Sequence, residues 1–91
     1  MNKQRRSILN QQISELESLK LQLEDIKEKL EEVHDEEEEA YDNLPEGIQD
    51  SERGDTMQEN IDSMYEAFSN LDDIISNIDD VVDSLNEIIG R

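Results

Sequence analysis

The chain has 91 residues, 33% apolar and 3% aromatic, so it holds one domain at most and lacks the material for a large self-contained core. Its 26 acidic and 8 basic residues leave a formal charge of -18, which disfavours direct contact with nucleic-acid phosphates or anionic membranes and favours basic partners. Cysteine is absent, which excludes disulfides, thiolate metal sites and a cysteine nucleophile and fits a reducing cytoplasm.

So little apolar material and so much like charge would ordinarily leave a chain disordered, and only periodic placement of the apolar residues makes folding affordable. Residues 1–6 contain Lys3, Arg5 and Arg6. Cations at a helix N-terminus oppose its dipole, so this stretch is expected to be a flexible basic arm.

A first helix is predicted from about Ser7 to Tyr41. After Leu9, its apolar positions Leu16, Leu19, Leu23, Ile26, Leu30 and Val33 alternate steps of three and four, a heptad seam with a at Leu16 and d at Leu19. Its last turns hold the run Glu36 to Glu39 against a negative helix end, which strains that end electrostatically.

Residues 42–55 hold the only proline, Pro45, with Gly47 and Gly54, and read as the connector. A short helical turn after Pro45 would fold Leu44 and Ile48 back over the bundle end. Arg53, the only base between Lys29 and Arg91, is expected to neutralise the Glu36 to Glu39 run.

A second helix is predicted over 56–89, opening on a capping box formed by Thr56 and Glu59. Its seam runs Met57, Ile61, Met64, Phe68, Leu71, Ile75, Ile78, Val82, Leu85 and Ile89 without a polar interruption. A parallel column at position g, Ala67, Ile74, Val81 and Ile88, widens the apolar face beyond what one facing helix covers. The two helices are of nearly equal length. The expected fold is therefore all-α: an antiparallel two-helix hairpin over residues 7–91, coiled-coil-like, which dimerises through the g column into a four-helix bundle.

The single histidine forms Glu31-x-x-His34, a spacing used by carboxylate metal sites in bundles. In the heptad frame above both residues fall beside the seam, at b and e, where a solvated surface pair is expected and no metal. Asp42 to Gly47 fails as a calcium loop because Leu44 takes a ligand position. Met57, Met64 and Phe68 read as core packing. No nucleophile with a neighbouring base and no glycine-rich phosphate loop occurs, so neither catalysis nor a cofactor is expected. No apolar run reaches the length of a signal sequence or a membrane span.

The outer face of the second helix carries Asp62, Glu66, Asp72, Asp73, Asp79, Asp80, Asp83 and Glu87. Aspartate is a poor residue for a helix interior, so helix propensity does not account for them. They are the candidate partner-binding face, a rod of carboxylates suited to a basic groove that otherwise holds nucleic acid.

The connector residues Tyr41-Asp42-Asn43-Leu44-Pro45-Glu46, then Gln49, then Ser51-Glu52-Arg53-Gly54 and Met57, resemble small acidic hypothetical proteins of phages, prophages and other mobile elements, mostly of Gram-positive hosts. The match spans residues 36 to 89, with Gly47 and Ile48 departing from the asparagine and leucine of that group. The resemblance implies a genomic context and the cytoplasm of a bacterial host, and no particular mechanism. The functional expectation is a non-enzymatic acidic binding module that pairs with itself and docks on a basic host protein, as an inhibitor or DNA mimic would. The alternative is a structural or assembly coiled coil acting through self-association.

Overall fold

A computed structural model describes residues Met1–Arg91 and is all-helical: α1 (Lys3–Asp42), α2 (Glu46–Gln49) and α3 (Glu52–Gly90). The molecule is a rod with Cα extents of 68 × 15 × 14 Å. Its two long helices lie side by side and antiparallel, with Lys20 against Asp79, Lys27 against Asp72 and His34 against Phe68.

Each long helix starts ahead of its predicted place for a local reason. Residues 3–6 are helical and not a free arm, because Asn2 caps α1, its side-chain oxygen accepting the Arg5 N–H at 2.8 Å. That bond satisfies one of the free donors of the first turn and offsets the unfavourable cations. The start of α3 lies at Glu52, ahead of Thr56, because Ser51 takes the cap position and accepts the Gly54 N–H. The Ser51 to Gly54 stretch, expected in the connector, is thus the cap and first turn of α3.

Between them α2 follows Pro45 directly, where the fixed proline φ suits helix entry. Gln49 Nε2 donates to the Tyr41 carbonyl at 3.0 Å and to the Asp42 carbonyl at 3.4 Å, closing the open C-terminal end of α1. The α2 backbone then presses on Gly54: a Cβ there would collide with the carbonyls of Ile48 and Gln49. Arg53 takes part in none of the ion pairs of the molecule, and the Glu36 to Glu39 run stays without a basic partner from the connector.

The seam of α3 is the predicted one, with Ile61, Ile78 and Val82 buried along it. The seam of α1 is rotated from its predicted position. Leu9, Ile13, Leu16, Lys20, Leu23, Lys27, Leu30, His34, Glu37 and Tyr41 are covered in steps of four and three, with Glu31 also partly covered beside them at e. Leu16 is therefore at d, and Ile13, Lys20, Lys27 and His34 are at a. Leu19, Ile26 and Val33 move to g and are 45%, 49% and 50% exposed.

The rotation follows from which neighbours each column meets. Turning α1 this way buries Ile13 with Ile78 and Val82, and lets Lys20 and Lys27 lay their stems along the seam while their ammoniums reach carboxylates on α3. The pair buries only five of 91 residues, four of them hydrophobic, and no side chain is completely enclosed.

Two candidate partner-binding faces

The rotated frame gives the rod two unlike long sides, one where the e positions of both helices meet and one where the g positions meet. On the e side, Glu17, Glu24, Glu31 and Glu38 of α1 line shallow grooves with Asp72, Asp79 and Tyr65 of α3. Lys20 Nζ lies 2.7 Å from Asp79 Oδ1, while Lys27 pairs with both Asp72 and, at 3.3 Å, Glu31. These two lysines are held above the ordinary 10.5, the first by its hydrogen bond to Asp79 and the second by its hydrogen bond to Asp72. A polar residue at a seam position costs packing and fixes register.

His34 sits in the seam at a and not on the solvated edge. Its side chain is 12% exposed, and its ring meets Phe68 edge-on at 5.3 Å, with Tyr65 packed on Phe68 at 5.2 Å. Its Nδ1 is 3.0 Å from Asp35 Oδ1 and 3.8 Å from Glu38 Oε2. Glu31, the other half of the Glu-x-x-His spacing, turns instead to Lys27.

The eight candidate carboxylates of α3 are all exposed but fall into separate groups. Asp72 and Asp79, at e, are engaged by the two lysines, and Asp62 accepts from Gln58 Nε2 at 3.1 Å. Glu66, Asp73, Asp80 and Glu87 form one column at f, on the far side of α3 from α1, and Asp83 stands beside it at b. Every Asp and Glu of α3 is at b, e or f.

The g side is the reverse. Val33 of α1 and Ala67 of α3 line one groove with Ser63, Asn60, Glu37 and Met64. The helix register carries the same pairing along the rod, Ile26 level with Ile74 and Leu19 level with Val81. Ile74 and Val81 are 45% and 47% exposed, Ala67 is exposed and Ile88 is half-covered. Beyond them, position c of α3 is occupied by Thr56, Ser63, Asn70, Asn77 and Ser84, so from Thr56 to Ile88 neither c nor g carries a charge.

Sequence reasoning found the α3 column at g but missed its counterpart on α1, because Leu19, Ile26 and Val33 were assigned to the seam. The missed signal was a matched spacing: Lys20 and Lys27 are seven apart, as are Asp72 and Asp79.

The fold and its sides define an elongated acidic helix pair with one carboxylate-rich side and one apolar side, to which α3 contributes no charge from Thr56 to Ile88. Comparison with protein-family models, curated proteins and solved structures gives no match to this chain. No helix is long and apolar enough to cross a membrane.

Proposed function

We propose that this chain is a non-enzymatic binding module, a helical hairpin that docks by charge on a basic protein surface, of the kind that otherwise holds nucleic acid. The segregation of every α3 carboxylate to b, e and f carries this reading, since a face selected for solubility alone would have no reason to leave c and g free of carboxylates. The column at f repeats every two turns, about 10 Å, along a stiff rod. Such a module suits a mobile element acting on a host protein in the bacterial cytoplasm. The test is capture of basic proteins on the immobilised chain, with elution by salt and by added DNA. Release of a nucleic-acid-binding protein by both supports the reading, and retention of nothing that DNA displaces refutes it.

A second reading, a structural protein acting through self-association into a four-helix bundle, is favoured by the exposed apolar residues of the g side. The two readings are compatible, because they use opposite sides of the rod.

A further inference from the structure

We infer that a second copy of this chain covers the g side, with α1 of each copy lying along α3 of the other and the twofold axis parallel to the rods. The inference rests on the self-association reading and adds to it the missing half of the face, the α1 residues Leu19, Ile26 and Val33, and a defined arrangement.

The face calls for an apolar, uncharged occupant. Leu19, Ile26, Val33, Ile74 and Val81 stay about half exposed in a molecule that buries only four hydrophobic residues. One long side of a 68 × 15 Å rod has the extent of a stable interface, about 800 Å² per partner. A basic protein would find no carboxylate at c or g of α3, and a phosphate or lipid headgroup no cluster of cations. A second copy supplies an apolar stripe of the same length. Two chains of charge -18 repel one another, and the c and g positions of α3 bring no carboxylate of that helix to the contact.

The charges at c of α1 select the arrangement. Glu15, Gln22, Lys29 and Glu36 occupy it. Placing α1 against the partner's α1, antiparallel and centred on Ile26, would set Glu15 beside the partner's Glu36. Placing α1 against the partner's α3 sets each against an uncharged residue at its own level. The level is fixed within one chain by Lys20 with Asp79 and Lys27 with Asp72, and a twofold axis along the rod preserves it. Gln22 then faces the partner's Asn77, and Lys29 the partner's Asn70, so all neighbouring helices in the bundle are antiparallel.

The chain has no cysteine, so single cysteines report the arrangement directly. Gln22→Cys and Asn77→Cys are prepared separately, mixed, allowed to exchange and oxidised, with light scattering on the native chain in parallel. The expected results are twice the 10.6 kDa chain mass and a dominant disulfide that joins a Gln22→Cys chain to an Asn77→Cys chain. A monomer mass at high concentration and moderate salt overturns both the self-association reading and this inference. A dimer that links Gln22→Cys chains to each other overturns the arrangement alone. A dimer that survives Ile26→Lys with Ile74→Lys overturns the choice of face.

Discussion

The ammonium of Lys20 reaches across from α1 to within 2.7 Å of Asp79 Oδ1 on α3, and one heptad along Lys27 makes the same link to Asp72. Both lysines stand at positions that heptad chemistry reserves for apolar residues. They are a device for register: sliding one helix past the other by a single heptad would leave one ammonium without its carboxylate. Lys20→Leu with Lys27→Leu extends the apolar seam, so at moderate salt the melting temperature should rise by several degrees in thermal circular dichroism. The gain should shrink at low salt, where the added net negative charge is unscreened. A lower melting temperature at moderate salt would show that the two ion pairs outweigh the packing they displace.

The same lysines set an alkaline limit. Each is held above its ordinary value by a partner present only in the folded chain. Their contribution is therefore complete below 10.5 and is lost as the pH rises through the raised values. Melting temperature followed upward from pH 9 should fall in the native chain more than in the double leucine variant. Parallel curves for the two would remove the lysines from the account.

Gly54 is a steric requirement where α2 turns into α3. Gly54→Ala drives a methyl group into the carbonyls of Ile48 and Gln49, backbone atoms with no room to give. Overpacking of this kind costs on the order of 2 kcal/mol, and in a chain of this size lowers the melting temperature by about 10 °C. Gly47, also helical, has nothing within 4 Å of the same position, so Gly47→Ala should raise stability by about 0.5 kcal/mol. Equal effects of the two substitutions would show that the close approach of α2 carries no weight.

Gln49 closes the end of α1 with a side chain, at the end where Glu36 to Glu39 already oppose the helix dipole. Gln49→Ala should cost about 1 kcal/mol and speed amide exchange selectively over Glu39 to Asn43. Gln49→Glu should be worse, since it turns a donor into an anion facing two carbonyls. Uniform exchange in both variants would mean that solvent caps this end equally well.

How much of this was legible in the chain depended on how each helix ranks its columns. In α3 the seam column from Met57 to Ile89 is apolar at every step, and its place could be read without a partner in view. In α1 the column of Leu9, Leu16, Leu23 and Leu30 is equally plain, but it is flanked on one side by Leu19, Ile26 and Val33 and on the other by Ile13, Lys20, Lys27 and His34. Hydrophobicity selects the first flank; the molecule uses the second, because only α3 supplies the carboxylates that make lysine acceptable in a seam. His34 was misplaced by the same step, and its packing on Phe68 followed from neither residue alone. Among the helix ends, Ser51 and Asn2 are ordinary capping residues that went unread, the first because Thr56 offered a fuller motif and the second because the cations after it argued for fraying.

Salt should act on the two sides of the rod in opposite directions. Carboxylates of α3 at b, e and f attract a basic surface, and screening weakens that attraction. Two copies meeting on the apolar g side gain from apolar burial and lose to the repulsion of two -18 chains, and screening relieves only the loss. Raising salt from about one-tenth to about one-half molar, which roughly halves the screening length, should therefore tighten the dimer in sedimentation equilibrium while loosening any basic protein recovered by capture. Asp73→Asn with Asp80→Asn, at f and away from the g side, should likewise weaken docking and leave the dimer as strong or stronger. Ile26→Lys with Ile74→Lys should dissociate the dimer and leave single chains that still bind the basic protein. If both associations instead weakened together with salt, one shared surface would have to serve both, and the division of the rod into a carboxylate-rich and an apolar side would lose its functional meaning.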